Sequence, residues 1–380
     1  MNVLVACDSF KGCMTSNEAN SRIQKGLEKA SDRYRVQTFP VADGGEGLVE
    51  AFAELTNARL IEAETVDLYG RPVKAWIGYE PETKTACIEA ASVTGLYLYP
   101  EKERHPLQSS SYGLGLLMKE AMMLDIDRLI IGLGGTGSND GGIGLLAAFG
   151  AVLYDARRHR LEPHTQNLGK VAFIDKRNFR FNRKIRILAA CDVKNPLLGP
   201  NGATWIYGKQ KGLAKTEQQW VEEGMRRFEA KVDQTFHVSM DSYTGAGAAG
   251  GLGGMLLGVF KASFIPGVDL LASLGDLDQK ISWADLVITG EGQTDQQTLN
   301  GKAVLGIAMK AKSQSVPVVC LSGALGLGYE GLYDYGICSM MSTADRAMSF
   351  QTAISNGPGK LEKSAENLGR MLEGLKGCLK

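Results

Sequence analysis

Short runs of consecutive apolar residues, each followed by a loop of glycine and acidic residues, constrain the fold of this 380-residue chain most strongly. Residues 3–6 form such a run near the amino terminus, and after their loop Thr15-Ser16-Asn17-Glu18 is typical of a helix start with capping residues. The same rhythm returns at residues 284–289 and 316–321. Unbroken apolar runs of this length are typical of parallel strands that are covered by helices on both faces. The two ends of the chain therefore predict one Rossmann-like, doubly wound α/β domain.

The middle of the chain has a different character. Residues 60–97 alternate between apolar and polar side chains, as antiparallel hairpins do, and another buried-type strand follows at residues 185–190. A chain of this length also exceeds the size at which a single core stops growing. We therefore expect a discontinuous domain of residues 1–62 plus 265–380 and an inserted α/β domain of residues 63–264, with the functional site in a cleft between them.

Composition narrows the class of function. The 42 basic and 42 acidic residues cancel, so no global field favours nucleic acid or an anionic membrane. The longest apolar run, residues 142–154, is shorter than the ~18 residues that a membrane span needs. Seven cysteines without a C-x-x-C pair indicate reduced thiols. We expect a cytoplasmic protein whose partner is a small molecule.

A glycine loop in the middle of the chain leaves one alternative open. A strand at residues 129–131 runs into Gly132-x-Gly134-x-x-Gly137, and Asp155 lies near the place of a ribose-binding acid. This spacing matches a dinucleotide-binding loop and would suit an NAD-dependent hydroxy-acid dehydrogenase. However, Asp140 would then face the pyrophosphate at the start of the helix. Asn139 and Asp140 are better suited to a polar substrate or a cation.

Three further loops combine glycine with charge, and each is expected at the carboxyl end of a strand. Glycine lets a backbone approach an anion closely, and carboxylates supply the oxygen ligands that Mg²⁺ prefers. The loops carry Asp8, Ser9 and Lys11; Asp43, Gly44, Gly45 and Glu46; and Gly290, Glu291, Gly292 and Asp295.

Asp192 and Asn195 follow the strand at residues 185–190 and could supply a general base and a metal-binding oxygen for phosphoryl transfer. An Asx turn ahead of Pro196 is an equally good interpretation of this pair. Lys211 and Lys302 adjoin glycine turns and could meet phosphate or carboxylate. A Walker-type loop with the pattern G-x-x-x-x-G-K-[ST] does not occur in the sequence.

Taken together, these loops resemble the bacterial type I glycerate kinase family. The resemblance covers residues 3 to about 325 in family order, and it rests on the following strings: Asp8 to Gly12; Pro40 to Gly47; Ile131 to Gly135 with Asn139 to Gly142; Cys191 to Leu197; Tyr207 to Gly212; Gly245 to Gly251; and Thr289 to Lys302. It implies ATP-dependent phosphorylation of D-glycerate, most often to 2-phosphoglycerate. It also implies a Rossmann-like domain interrupted by a second α/β domain.

On this resemblance we assign roles to the candidate residues. Asp192, Lys11 and Asn195 are expected to be catalytic, and Asn139, Asp140 and Lys211 to bind the substrate. Asp43, Glu291 and Asp295 are expected to reach Mg²⁺. The expected ATP-binding residues are Asp8, Ser9, Gly44, Gly45, Gly290, Glu291, Gly292 and Lys302.

The chain departs from the family pattern at several positions. Gln293 stands where the family usually has Arg, and Leu114 and Leu116 stand where it has Thr and Glu. Glutamine cannot replace the charge or the paired donors of arginine. A second alternative is therefore a ligand-binding relative of the kinase without catalytic activity. The sequence leaves both a monomer and a homodimer open.

Overall fold

The computed structural model describes residues 1–42, 44–300 and 303–378. The strands are β1 Asn2–Val5, β2 Arg35–Thr38, β3 Arg59–Val66, β4 Pro72–Glu80, β5 Thr85–Glu89, β6 Arg128–Gly132, β7 Val152–Tyr154, β8 Phe173–Asp175, β9 Arg186–Ala190, β10 Ser263–Ile265, β11 Leu286–Thr289, β12 Gln293–Thr294, β13 Val318–Ser322, β14 Ala324–Leu325 and β15 Ile337–Ser342. The helices are α1 Ser16–Ala30, α2 Leu48–Thr56, α3 Ala91–Thr94, α4 Tyr112–Met122, α5 Ile143–Ala148, α6 Ala203–Tyr207, α7 Lys215–Phe236, α8 Leu252–Gly258, α9 Gly267–Gly275, α10 Leu277–Trp283, α11 Ala303–Ser313, α12 Phe350–Ser355 and α13 Gly357–Cys378. Within this described part of the chain, none of the helices has the length and apolar character needed to cross a bilayer.

The chain divides into two compact units. The terminal unit comprises Met1–Asp43, Glu54–Thr56 and Pro266–Lys380, and the central unit comprises Gly44–Ala53 and Asn57–Ile265. Strand β3 begins at Arg59 and pairs with β4 along its whole length, so residues 59–62 lie in the central sheet and not with the terminal residues, where we had placed them. The first residues of β3 are largely exposed, which leaves no apolar run to mark the boundary. The assignment of domains to these units stays a prediction.

The terminal unit is built on a parallel sheet with the order β15-β13-β11-β1-β2. Counted along the chain, this is the 2-1-3-4-5 order of a doubly wound sheet, whose switch point lies between its first and third strands, β1 and β11. Alternate strand residues pack under α1 and α13 on one face. Helix α10 packs against β1, and α11 packs against β11 and β13. The apolar runs are continuous because helices cover the sheet on both faces.

Helix α1 begins as the sequence predicts. Thr15 is its N-cap, and the Thr15 hydroxyl accepts a hydrogen bond from the backbone N–H of Glu18 at 3.2 Å. Such a cap satisfies one of the backbone donors left over at a helix start. Ile23 and Leu27 then face the sheet together with Leu361 of α13.

The central unit contains a mixed sheet with the order β10-β9-β6-β5-β4-β3. The pairs from β10 to β5 are parallel, and β4 and β3 add an antiparallel hairpin at one edge. The antiparallel character expected for residues 60–97 is therefore present, although β5 pairs in parallel with β6 on its other side. The carboxyl ends of β5, β6 and β9 lie along one edge of this sheet, where side chains of their loops can meet.

The contact between α1 and α13 generates a stability prediction. A Cβ at Gly26 would overlap the carbonyl oxygen of Glu362, whereas a Cβ at Gly374, on the exposed side of α13, meets nothing within 4 Å. We expect Gly26→Ala to lower the free energy of unfolding by about 1–3 kcal/mol, because the helices must move apart. We expect Gly374→Ala to be neutral or to stabilise by up to about 1 kcal/mol through helix propensity.

Urea unfolding monitored by circular dichroism measures the change in unfolding free energy for both variants. Equal midpoints for Gly26→Ala and Gly374→Ala would contradict the close approach of the two helices.

Candidate active site

The loops after β1 and β11 meet at the switch point of the terminal sheet. The backbone N–H of Asp8 donates to the carbonyl of Gly290 at 2.8 Å. A Cβ at Gly292 would lie 3.5 Å from the backbone nitrogen of Lys11. The fold thus brings six of the residues that the sequence predicts for nucleotide binding or catalysis into two adjoining loops: Asp8, Ser9, Lys11, Gly290, Glu291 and Gly292.

The loop after β1 carries one buried charge and one exposed charge. Asp8 is buried, and its carboxylate accepts the backbone N–H of Ser9 at 2.7 Å. Lys11 is exposed to solvent. The buried carboxylate helps to fix the conformation of the loop, while the lysine presents a positive charge at the carboxyl edge of the sheet. A cation in this position is suited to phosphate oxygens.

The carboxylates expected to reach Mg²⁺ are partly occupied by their own loop. Glu291 is buried, and its Oε1 accepts the hydroxyls of Thr298 at 2.6 Å and Thr294 at 3.3 Å. Asp295 is half-buried and accepts the side-chain amide of Gln293 at 2.9 Å and the backbone N–H of Gln297 at 2.8 Å. Over residues 1–42, 44–300 and 303–378, no three His, Cys, Asp or Glu side chains form a group able to hold a metal. Asp43 and Lys302 lie outside the described residues.

Gly44 and Gly45 pack against the central sheet, although the sequence predicts that they belong to the terminal domain. The backbone N–H of Gly134 donates to the carbonyl of Gly44 at 3.0 Å. A Cβ at Gly44 would lie 2.8 Å from the carbonyl oxygen of Ala190, at the end of β9. Gly44 also has a φ of +78°, which favours glycine. This loop therefore covers the carboxyl ends of β6 and β9.

The glycines of the dinucleotide-like pattern are used for packing within the protein. A Cβ at Gly132 would lie 2.7 Å from the carbonyl oxygen of Gly44, and one at Gly134 would lie 2.7 Å from the Cα of Gly45. A Cβ at Gly137 would lie 2.8 Å from the side chain of Leu68. Close protein neighbours thus fill the space that a pyrophosphate would need along this loop.

Two other features of the dinucleotide interpretation have ordinary structural roles. Asp155 accepts the backbone N–H groups of Arg157 and His159, each at 2.8 Å, in the turn that follows β7. The G-x-G-x-x-G spacing also occurs at residues 245–250, where a Cβ at Gly247 would overlap the carbonyl oxygen of Pro196 and one at Gly250 that of Ser138. Both observations argue against a dinucleotide site in this part of the chain.

Asp140 is fully buried and organises the loop after β6. Its Oδ2 accepts the backbone N–H and the hydroxyl of Ser111, both at 2.7 Å, and the N–H of Gly144 at 3.2 Å. Its Oδ1 accepts the N–H of Gly142 at 3.0 Å. Burial raises the pKa of Asp140, and these hydrogen bonds oppose that rise. In this geometry the carboxylate holds the loop together, and the substrate-binding role expected for it stays a prediction.

Asn139 directly precedes Asp140 in that loop and Lys211 contacts the same loop, while the substrate-binding role expected of both stays a prediction. Asn139 is fully buried, and its Nδ2 donates to the hydroxyl of Thr204 at 3.0 Å. Lys211 is 3% exposed, and its Nζ donates to the carbonyl of Ser138 at 2.6 Å. Burial lowers the pKa of Lys211 to about 7, although the charge of Asp140 acts in the opposite direction.

Asp192 and Asn195 follow β9 at the same edge of the central sheet. Asp192 is half-buried. Asn195 accepts the hydroxyl of Tyr207 at 2.8 Å and donates to the carbonyl of Asn201 at 2.9 Å, so its amide braces the loop. Asp192 lies two residues after Ala190, the last residue of β9, and the catalytic role expected of it stays a prediction.

Glu89 is a further residue at this edge, which the sequence motifs do not single out. It ends β5, is buried, and accepts the backbone N–H of Val49 in α2 at 2.7 Å. Burial, followed by the charge of Glu50, raises the pKa of Glu89 to about 8. Glu89 follows the buried residues of β5, and the only sequence signal was an acidic residue at the end of this strand.

A doubly wound parallel sheet with glycine-lined, charged loops at its switch point is an architecture typical of α/β enzymes that bind phosphorylated ligands. The model of the glycerate kinase family matches residues 3–373, and the chain belongs to that family. The predicted family and the predicted α/β fold class are thereby confirmed, and with them the class of enzyme, a kinase with an alcohol acceptor. The dehydrogenase alternative is set aside.

Relatives match almost the whole chain. It is 36% identical to the glycerate kinase of Halalkalibacterium halodurans over 96% of this chain and 97% of that protein. It is 32% identical to the glycerate 2-kinase of Escherichia coli over 98% of each. A crystal structure described as glycerate kinase 2 from Salmonella typhimurium LT2 superposes with a TM-score of 0.82 at 32% identity and covers 99% of both chains.

Glu89 generates a prediction about pH. Its pKa is higher in the folded protein than in the unfolded chain, so the stability it contributes is complete below the unfolded pKa of about 4.5 and is lost as pH rises towards 8. Glu89→Gln keeps an acceptor for the N–H of Val49 and removes the titration. We expect this variant to unfold at higher urea than the wild type at pH 8, with the difference shrinking at pH 5.

Glu50→Gln is the matched control, because Glu50 is exposed and acts on Glu89 only through its charge. It should give a smaller change of the same sign. A Glu89→Gln variant whose stability keeps the pH dependence of the wild type would refute the assignment.

Proposed function

We propose that this chain transfers the γ-phosphoryl group of ATP to a hydroxyl of D-glycerate, giving 2-phosphoglycerate, with Mg²⁺ as cofactor. The observation that carries the proposal is the meeting of the loops after β1 and β11, where Asp8 and Gly290 are joined by a 2.8 Å hydrogen bond at the switch point. Membership of the glycerate kinase family supports the nature of the acceptor. A cytoplasmic location and a monomeric or homodimeric state remain predictions from the sequence.

Phosphate binding is assigned to the terminal unit. Lys11 is exposed at the carboxyl edge of the sheet and would neutralise phosphate charge, as we also expect of Lys302. Gly290 and Gly292 would present backbone to the nucleotide, because neither carries a side chain that stands in the way. Asp8 and Ser9 would keep this loop in shape.

Mg²⁺ would be held in part by the oxygen donors of the loop after β11. Mg²⁺ is usually held by one or two carboxylates together with substrate phosphates and water. Asp295 and Glu291 would contribute such carboxylates, directly or through water, and Asp43 is the third candidate. The ion would supply neutralisation of the charge on the transferring phosphoryl group.

Substrate activation is assigned to the central unit. Asp192 would accept the proton of the glycerate hydroxyl as that oxygen attacks the γ-phosphorus. The new bond joins the substrate oxygen to phosphorus, and the bond from phosphorus to the bridging oxygen breaks, so that ADP leaves. Asn139 and Lys211 would hold the acid in place, and Asn195 would brace the loop that carries Asp192.

Gln293 keeps the alternative of a ligand-binding relative without catalysis open to test. Its amide is exposed and donates to Asp295, so no guanidinium is available at this position to meet a phosphate or a carboxylate. This alternative predicts that glycerate or nucleotide binds without turnover.

The first test of the proposed function is ATP consumption with D-glycerate. We expect ADP to form only when the acid is present, and ³¹P NMR of the product should show a doublet, because the 2-phosphate is coupled to one proton. A triplet would assign the 3-position instead. Binding of D-glycerate or ATP without ADP formation would favour the non-catalytic alternative, and micromolar NADH binding without ATP binding would overturn the kinase.

The second test concerns the general base. Asp192→Asn should lower kcat by about 10²–10⁴-fold, because positioned proton transfer contributes about that much. Lys194→Met, exposed on the same loop, is the control and should keep the wild-type rate. Near-normal turnover by a folded Asp192→Asn variant would remove the base from the mechanism.

A further inference from the structure

Ser138 lies at the centre of an enclosed polar group in the central unit. Its carbonyl accepts the ammonium of Lys211 at 2.6 Å, and both residues are buried. The next residue, Asn139, is also fully buried and is tied to Thr204. Ser138 was not among the residues that the sequence pointed to.

Two side-chain atoms of this group are unsatisfied. Ser138 Oγ and Asn139 Oδ1 are buried and have no hydrogen-bond partner among the described residues. Buried polar atoms are almost always paired, and leaving one unpaired is costly. Asn139 Nδ2 already donates to Thr204, and Oδ1 of the same amide is an acceptor without a donor in the described part of the chain. These two atoms therefore have room in their bonding for a partner that the described residues around them do not supply, such as a buried water or a polar ligand.

The missing partners match the chemistry of a 2-hydroxy acid. A hydroxyl would donate to Asn139 Oδ1. A carboxylate would accept from the hydroxyl of Ser138 and from the ammonium of Lys211, whose Nζ has three donors and uses one on the Ser138 carbonyl. Lys211 Nζ donates to the carbonyl of Ser138, so the two candidate donors belong to residues in direct contact.

We propose that Ser138 and Lys211 bind the carboxylate of the acid substrate, and that Lys211 takes up a proton when this acid binds. The inference rests on the proposed function and adds to it a residue, Ser138, and a proton that accompanies binding. It makes the affinity for glycerate dependent on pH.

The charge balance around Lys211 sets the direction of this dependence. Among the described residues, the charged group that acts on Lys211 is Asp140, whose oxygens already accept four hydrogen bonds from the loop. Burial lowers the pKa of Lys211 to about 7, so the free enzyme holds it largely uncharged at pH 8. A bound carboxylate favours the ammonium and raises this pKa. Affinity is then full below pH 7 and falls as pH rises above it.

Calorimetry on the unmodified protein tests the proposal. D-glycerate is titrated at pH 8, with a non-hydrolysable ATP analogue present, in two buffers of different ionisation enthalpy. We expect uptake of about one proton per acid bound and a Kd that rises by about tenfold per pH unit above 7. Binding without proton uptake, with turnover of D-glycerate intact, would overturn this inference alone; absence of turnover would overturn the proposed function.

Variants assign the effect to the two residues. Lys211→Met should abolish proton uptake and the pH dependence of KM, and Ser138→Ala should raise KM by about tenfold or more with little change in kcat. Lys209→Met, exposed on the same loop, should behave as the wild type. If both variants only lower stability and keep KM and the proton count, the group is structural and the proposal fails. Should Lys211→Met not fold, Ser138→Ala and the calorimetry decide.

Discussion

The carboxyl edge of the central sheet depends on the hydrogen bonds that the carboxylate of Asp140 accepts. This carboxylate is fully buried, and its cost of burial is offset by four hydrogen bonds from Ser111, Gly142 and Gly144. These bonds tie the start of α4 to the start of α5, and they fix the turn between β6 and α5. The positions of Ser138 and Asn139 follow from that turn, since both residues directly precede Asp140.

Contact of backbone with backbone is the second constraint, and it explains where many of the 47 glycines lie. The loop at Gly44 rests on the ends of β6 and β9, and Gly250 and Gly251 rest on residues 138–141. A side chain at any of these points would push two loops apart. Glycine here serves the packing of loops on loops.

The sequence predicted the strands and helices better than it predicted the contacts between distant parts of the chain. Strands β1, β11 and β13 were visible as continuous apolar runs, and Thr15 marked the start of α1, because both signals depend only on nearby residues. The packing of Gly44 on the central sheet could not be predicted, since an acidic glycine turn looks the same on either sheet. Gly137 matched a dinucleotide loop by spacing, yet Leu68, distant in the chain, occupies the space beside it. Ser138 gave no local signal and Glu89 only a weak one, because burial and missing partners emerge only in three dimensions.

The strand order of the terminal sheet has a consequence for how the protein is made. Strand β1 lies between β2, which follows it closely, and β11, which is synthesised only after the whole central unit. During translation, β1, β2 and α1 leave the ribosome without the strand and the helix α13 that complete their core. The central unit has all of its strands available earlier and can fold first. Because the entropic cost of closing a loop grows with its length, replacing the long connection between β2 and β11 by a folded unit lowers that cost, and we expect the terminal sheet to be completed last.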